Sequence, residues 1–298
     1  MNNTAELSKF KIWLLAARPK TLWAGIAPVI IGGALAYDTG VFHVASFVFA
    51  LTGSVLLQIG ANFANDLFDF LKKTDDSERI GPLRVTQAGL VSSGEMKMAT
   101  IAVFSLALIV GIYLVFRGGL PIVIIGLSSI LFGVLYTGGP YPLGYLGLGD
   151  ILVLIYYGPV AVCGTYYVIT LDFNPALILA GIPPGMLSTA ILTVNNLRDI
   201  ESDKRSGKRT LAVRFGRQFA RVEYIFMLAG AALFPVIIYL LKNAHPWSML
   251  AVIILIPCGV TIRKVMTETS GEILNGVLAD TGRILAMFAV LFSIGWLL

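Results

Sequence analysis

The chain is a succession of long apolar segments separated by polar loops. Crossing about 30 Å of hydrocarbon takes about 20 helical residues, and nine apolar segments approach that length. The pattern therefore predicts nine transmembrane helices. Their approximate cores are Leu22–Tyr37, Val44–Asn65, Met98–Phe116, Leu120–Tyr136, Ile151–Ile169, Pro175–Val194, Val222–Leu241, Trp247–Ile262 and Arg283–Leu298.

Composition supports a membrane protein. Hydrophobic residues make up 57% of the 298 residues and charged residues 13%, with a mean hydropathy of +0.83, which is far more apolar than a soluble domain. No small-residue cleavage site follows the basic leader, so we interpret the leader as retained. Cys163 and Cys258 lie in apolar segments and imply no disulfide framework. We expect an all-α integral membrane protein in which residues 1–298 form one transmembrane domain.

Positive charge is distributed unevenly between the two faces of this topology. An odd number of spans places the termini on opposite sides, and all but Arg117 and Lys242 of the 22 Lys and Arg residues fall on the N-terminal side. By the positive-inside rule, the N-terminus and the loops on its side are cytoplasmic, as in a multi-pass protein of the cell (inner) membrane. The net charge of +5 therefore reflects topology, anionic headgroups or phosphates, and we expect no nucleic-acid partner.

The end of the second segment carries an acidic motif. Asn62, Asp66 and Asp69 are spaced i, i+4, i+7, so a continuing helix places their oxygens on one face, with Asn65 beside them. Carboxylates at hydrocarbon depth are costly and mark functional sites by default. The alternative is helix capping at the interface, which does not require three such groups on one face.

A second acidic motif follows the sixth segment. Asn196, Asp199 and Asp203 are spaced i, i+3, i+7, with Asn195 and Arg198 next to them. Both motifs are predicted on the cytoplasmic side, and their similarity suggests two related halves, at about residues 20–145 and 150–298.

Oxygen-rich ligand sets of this kind favour Mg²⁺, which usually completes its coordination shell with water and substrate phosphates. A phosphorylated substrate is therefore expected. Basic residues beside each motif can hold a diphosphate, although topology and headgroups also explain most of them. They are Lys72, Lys73, Arg79, Arg84, Arg198, Lys204, Lys208 and Arg209, of which Arg84, Lys208 and Arg209 are the strongest candidates.

Tyr136 begins a loop rich in Gly, Pro and Tyr, which runs to Asp150 and can pack over the mouth of a cavity. If the diphosphate carries an isoprenoid tail, its departure leaves an allylic cation that a membrane cavity shields from water. An aromatic face such as that of Tyr136 stabilises such a cation. The competing interpretation is an ordinary interfacial tyrosine.

These motifs resemble the UbiA superfamily of intramembrane prenyltransferases, and in particular its branch that prenylates 1,4-dihydroxy-2-naphthoate in menaquinone synthesis. The similarity extends from Arg18 through the late spans. The segments that carry it are Arg18-Pro-Lys20-Thr, Asn65-Asp66-x-x-Asp69, Asp75-Asp-Ser-Glu-Arg79-Ile-Gly-Pro-Leu-Arg84-Val-Thr-Gln87, Tyr136-Thr-Gly-Gly-Pro140, Asn195-Asn196-x-Arg198-Asp199-x-x-x-Asp203 and Lys208-Arg209-Thr-Leu-Ala-Val-Arg214.

The resemblance implies nine transmembrane helices around a central cavity, beneath a cytoplasmic cap of loops and short helices. It implies that Mg²⁺, as two ions, joins the acidic motifs to a polyprenyl diphosphate. The naphthalene carbon bearing the carboxylate then attacks the allylic cation, and carbon dioxide and a proton leave to give demethylmenaquinol. The implied metal and diphosphate ligands are Asn62, Asp66, Asp69, Asp75, Asn196, Asp199 and Asp203. The implied contacts to the diphosphate or to the acceptor carboxylate are Arg18, Lys20, Asn65, Arg79, Arg84, Asn195, Arg198, Lys208 and Arg209.

One departure and two alternatives remain. The ubiquinone branch places a third acid where this chain has Lys73, so the metal role of Asp75 is open. A sister prenyltransferase acting on 4-hydroxybenzoate, homogentisate or a haem precursor is the nearest alternative within enzymes. A secondary transporter is the competing class, but it should place its ionisable groups near the bilayer midplane rather than at helix ends. Tail length and oligomeric state are not encoded in a readable pattern.

Overall fold

The computed structural model describes residues 7–72, 74, 81 and 83–298, and within these residues every regular element is helical. Asp75 and Arg79 lie outside the described residues. The α-helices are α1 (Lys9–Ala17), α2 (Leu22–Asp38), α3 (Val44–Leu71), α4 (Ser93–Gly118), α5 (Leu120–Leu135), α6 (Gly149–Ile155), α7 (Ala161–Thr170), α8 (Leu177–Arg198), α9 (Ile200–Arg205), α10 (Leu211–Lys242), α11 (Leu255–Thr267) and α12 (Gly271–Leu297). Short 3₁₀ helices occur at Pro19–Thr21 and Pro246–Ile254, and a π-helical segment occurs at Tyr156–Val160.

The chain is a multi-pass membrane protein. In its described part, eight helical stretches are long and apolar enough to cross a membrane, some of them formed by consecutive helices. The remaining predicted segment is α5, an apolar helix of 16 residues. All nine predicted segments are therefore helical, and the predicted all-α membrane fold is confirmed.

Local sequence signals explain where several helices begin. Ser92 and Glu95 form a reciprocal capping box at the start of α4, which satisfies amide groups that the first turn leaves without helical partners. Thr210 caps α10 in a similar way through the backbone N–H of Val213. Between α4 and α5, Gly119 adopts φ 65°, so the chain reverses within one residue.

The core lies around α8, the most deeply buried of the spanning helices. It packs against α2, α10 and α12, with large fully buried side chains such as Leu187, Tyr224 and Phe288 at the centre. A smaller cluster joins α1, the segment at 85–91 and the start of α4 to α3 through Ala16, Val85, Met96 and Phe63. In contrast, α4 and α5 leave many apolar side chains exposed, as expected for helices that face lipid.

The π-helical segment between α6 and α7 bends the chain toward α8. Gly158 has φ −119° and ψ −111°, outside helical geometry. A Cβ atom at Gly181 would lie 2.6 Å from the Cα of Pro159, and one at Gly185 would collide with the carbonyl oxygen of Leu154. Glycine at these positions therefore permits close backbone contact between α8 and the bent segment.

Candidate active site

A cavity of about 850 Å³ runs through the bundle, between α2, α3, α4, α5, α7 and α8. Most of its wall is apolar, but its charged lining residues are confined to one end. The end is formed where α3 and α8 finish, so the two acidic motifs lie together. The short helices α1 and α9 and the adjoining loops lie at this same end of the cavity. These elements correspond to the predicted cap of loops and short helices. The charged lining residues are Arg18, Asp69, Arg84, Asp199, Asp203 and Lys208.

The first motif lies on one continuous helix, α3, which extends to Leu71. Asn62, Asn65 and Asp69 line the cavity. Asp66 is not among the lining residues, because its carboxylate accepts hydrogen bonds from the backbone N–H groups of Val85 (3.2 Å) and Thr86 (3.3 Å). In this structure Asp66 therefore fastens the loop after α3 to the helix, and the polar face toward the cavity is spaced i, i+3, i+7.

Four side chains contact the Asp69 carboxylate. Its carboxylate receives the Arg84 guanidinium at 2.6 Å and the Tyr145 hydroxyl at 2.7 Å. The Thr74 hydroxyl lies 3.2 Å from the same carboxylate and the Lys208 ammonium 3.5 Å from it. The Asp69 residue is only 1% exposed, so these contacts replace water around its charge.

The second motif spans the break between α8 and α9, where Asp199 leaves helical geometry. Arg198 holds the Asp199 carboxylate in a bidentate contact, with Nε 2.7 Å from Oδ1 and Nη2 2.5 Å from Oδ2. The same guanidinium donates to the side-chain oxygens of Asn195 (2.8 Å) and Asn275 (2.5 Å). Arg198 is buried and does not line the cavity, so it orients Asp199 from behind.

Lys208 joins the two motifs. Its Nζ lies 3.5 Å from Asp69 Oδ1 and 3.5 Å from Asp203 Oδ1, so the two carboxylate oxygens are separated by at most twice that distance. Burial raises the pKa of Asp203 to about 6, Lys208 opposes the increase, and the Asp199 and Asp69 carboxylates add to it. Two acids can share so small a volume because an ammonium lies between them.

The other predicted residues divide into two groups. Arg18, Tyr136, Asn195 and Asn196 line the cavity with the acids. Lys20 and Arg209 are exposed and are not among the described lining residues.

Asn62 also anchors the leader, because its Nδ2 donates to the carbonyl oxygen of Ala17 (2.9 Å) and to Thr21 (3.2 Å).

Tyr145 is a site residue that reasoning from the sequence did not single out. Beyond its bond to Asp69, its ring contacts two ammonium groups, with Lys208 Nζ 4.8 Å and Lys72 Nζ 5.0 Å from the ring centroid. Lys72 also donates to the carbonyl oxygens of Thr137 and Gly139, each at 2.8 Å. The loop of Gly, Pro and Tyr that starts at Tyr136 is thus attached to the first motif. Its composition was the only available signal.

The donor set fits Mg²⁺ bound together with a phosphorylated ligand. Its oxygens are carboxylates and amides, the ligands that hard cations prefer. Within the described ranges no three His, Cys, Asp or Glu side chains form a compact metal cage. Mg²⁺ is usually held by one or two carboxylates and by substrate phosphates rather than by a cage of protein ligands. Asp69 in the first motif, and Asp199 and Asp203 in the second, offer one or two carboxylates each from opposite sides of the site.

An apolar cavity with acidic and basic side chains at one end suits a substrate that has a charged head and an apolar tail. Such a site defines a class of protein, the membrane-embedded enzymes that act on substrates of this kind. Comparison with known proteins specifies the class. The sequence profile of the UbiA prenyltransferase family matches residues 26–272. The chain therefore belongs to the UbiA prenyltransferase family and is a membrane-bound prenyltransferase.

Individual relatives agree. The chain is 36% identical to the 1,4-dihydroxy-2-naphthoate octaprenyltransferase of Haemophilus influenzae, over 97% of each chain. It is also 36% identical to the protein of the same name in Escherichia coli, over 97% of this chain and 96% of the relative. A UbiA homologue of Archaeoglobus fulgidus, solved bound to GPP and Mg²⁺, shares the fold with a TM-score of 0.60 at 17% identity, over 96% of this chain and 99% of that one.

Proposed function

We propose that the protein transfers a polyprenyl group from a polyprenyl diphosphate to 1,4-dihydroxy-2-naphthoate in menaquinone biosynthesis. The names of the two bacterial relatives supply the acceptor. The observation that carries the proposal is the meeting of both acidic motifs around Lys208 at one end of an apolar cavity. A diphosphate fits this charged end, and an isoprenoid tail fits the remainder.

In this proposal the charged end binds the diphosphate. Arg18, Arg84 and Lys208 line the cavity there and donate to phosphate oxygens, as guanidinium and ammonium groups do in many phosphate sites. Asp69, Asp199 and Asp203 hold the metal. Mg²⁺, when bound, neutralises the charge that develops on the leaving diphosphate. Arg198 keeps Asp199 in a fixed orientation throughout.

The apolar wall protects the reacting carbon. The C1–O bond of the polyprenyl diphosphate breaks and leaves an allylic cation, which water would capture in an open site. Tyr136, Tyr156 and Phe132 line the cavity and present aromatic faces that stabilise a cation.

A new carbon–carbon bond forms at the naphthoate carbon that bears the carboxylate. Carbon dioxide leaves from that carbon, its bonding electrons restore the aromatic ring, and the acid proton passes to solvent. The products are demethylmenaquinol, carbon dioxide and diphosphate.

We further propose that the charged end faces the cytoplasm, since the basic loops lie on that side, and that the protein resides in the cell membrane. The location of the acids also favours an enzyme over a transporter. They lie where helices end rather than at the middle of the spans, where transporters bind their substrates.

The test is reconstitution of the reaction. Purified protein in detergent is supplied with Mg²⁺, octaprenyl diphosphate and 1,4-dihydroxy-2-naphthoate, and prenylated product and carbon dioxide are measured. We expect both, and we expect chelation of Mg²⁺ to stop their formation. A matched reaction contains 4-hydroxybenzoate in place of the naphthoate. Product from 4-hydroxybenzoate with none from the naphthoate would overturn the assignment of the acceptor.

A further inference from the structure

A polar pair lies in the apolar part of the cavity, below the acidic motifs. Gln58 precedes Asn62 by one helical turn on α3, and Tyr157 belongs to the π-helical segment. Both line the cavity. One turn of helix is about 5.4 Å, so the pair lies just deeper than the diphosphate-binding end, at the level of the first isoprene unit of a bound donor.

The hydrogen bond between the two side chains fixes the orientation of the Gln58 amide. The Tyr157 hydroxyl donates to Gln58 Oε1, and this contact directs the amide NH₂ group away from the tyrosine. Among the described residues, the structure gives Gln58 Nε2 no hydrogen-bond acceptor, although the residue is only 7% exposed. The Nε2 atom is not fully enclosed, so a molecule in the cavity can reach this donor, and an amide donor without an acceptor costs free energy in an apolar site. An oxygen atom of a ligand would remove that cost.

The chemistry of the possible ligands identifies the oxygen. The isoprenoid tail contains none, and the oxygens of the diphosphate are bound one turn higher, among the charges. The aromatic acceptor supplies hydroxyl and carboxylate oxygens close to the reacting carbon. A carboxylate would favour a cationic group at the charged end over a neutral amide. We propose that Gln58, oriented by Tyr157, binds a hydroxyl group of the aromatic acceptor, a subsite that rests on the proposed function.

The backbone around Tyr157 gives independent support. Regular helical geometry fails at Gly158, directly after Tyr157, and the segment is held in close contact with α8 through Gly181 and Gly185. Distorted backbone and π-helical turns persist when surrounding structure fixes them, and both occur frequently at functional sites. Here the distortion brings two consecutive aromatic residues, Tyr156 and Tyr157, into the cavity wall.

The experiment compares acceptor analogues in two variants. Gln58→Met keeps the length of the side chain but removes the amide, and Tyr157→Phe removes only the orienting hydroxyl. We expect Gln58→Met to raise the KM for 1,4-dihydroxy-2-naphthoate about tenfold, as loss of one buried hydrogen bond predicts, and Tyr157→Phe to raise it less. The KM for the polyprenyl diphosphate should stay unchanged. The analogues 1-hydroxy-2-naphthoate and 4-hydroxy-2-naphthoate each lack one of the two hydroxyl groups. With the analogue that lacks the hydroxyl bound by Gln58, the rise in acceptor KM caused by Gln58→Met should disappear.

Ser129→Ala is the matched control, because Ser129 lines the same cavity but donates to the carbonyl oxygen of Ile125 within α5; its acceptor KM should match the wild type. Thermal stabilisation by acceptor alone gives a readout that needs no turnover, and Gln58→Met should reduce it. An unchanged acceptor KM in Gln58→Met, an equal rise in donor KM, or an equal penalty with all three acceptors would overturn the proposed subsite. If the wild-type protein binds and prenylates only another hydroxylated aromatic, the proposed function fails. The comparison of wild type with Gln58→Met, made with that aromatic, still tests the role of Gln58.

Discussion

The two acidic motifs meet in one site but obtain their partners differently. Asp69, at the end of α3, is contacted by Arg84, Tyr145 and Lys208, which arrive from three separate loops. Asp199 is held by its own neighbour, Arg198, from a buried position behind the cavity wall. We infer that the second motif is preorganised by local structure, whereas the first is assembled from contacts that also face the substrate.

The strongest test of this comparison removes charge from each motif. Asp69→Asn and Asp199→Asn preserve shape but remove a carboxylate that holds metal and diphosphate in the proposed mechanism. We expect each to lower kcat at least about 100-fold, as loss of one transition-state contact often does. Turnover of the prenyl donor by purified protein is the measurement. Asp172→Asn is the control, since Asp172 is exposed between α7 and α8, and near-normal activity in either motif variant would contradict the proposed site.

A second prediction distinguishes the role of Arg198 from that of Arg84. Arg198→Met leaves Asp199 without its bidentate partner, and breaking a buried pair typically costs about 3–5 kcal/mol. Arg84→Met should cost less, because Asp69 keeps Tyr145, Thr74 and Lys208. We therefore expect the larger fall in Tm from Arg198→Met and the larger rise in donor KM from Arg84→Met. Thermal unfolding in detergent and steady-state kinetics measure the two effects. Equal losses of Tm would contradict the contrast between a preorganised and an assembled motif.

The smallest expected effect concerns the loop that covers the first motif. Tyr145→Phe removes the hydroxyl bond to Asp69 but keeps the ring that contacts Lys72 and Lys208. A hydrogen bond to a charged group contributes about 1.5–3 kcal/mol, and since Asp69 keeps other donors we expect the lower limit, about a tenfold fall in kcat/KM. Tyr141→Phe, in the same loop but 77% exposed, should have no effect. A larger loss of kcat/KM from Tyr141→Phe than from Tyr145→Phe would contradict a role for the hydrogen bond between Tyr145 and Asp69.

Sequence alone predicted the helices well, because hydropathy over long windows is a strong signal. Every predicted segment is helical, including the short α5. The polar character of the motifs was equally visible, since carboxylates within membrane-spanning segments are rare.

The direction of individual side chains was not readable in this way. Spacing placed Asp66 on the same face as Asn62 and Asp69, but the loop at 85–86 folds back and binds its carboxylate. Arg198 was expected to contact substrate, yet it turns inward to Asp199. Partners such as Tyr145 for Asp69 and Tyr157 for Gln58 are far apart along the chain. Such pairings depend on tertiary folding, which single-sequence periodicity does not report.

The shared contact of Lys208 has a consequence for biosynthesis. Chains emerge from the ribosome with the N-terminal part first, so α3 enters the membrane long before Lys208 has been synthesised. During that interval the charge of Asp69 is offset by basic residues that precede Lys208 in the chain, such as Arg84. The ammonium that finally joins both motifs arrives just ahead of α10. Closure of the charged end is therefore a late event in assembly, and a truncated chain that stops before Lys208 would insert its first acidic motif without completing the site.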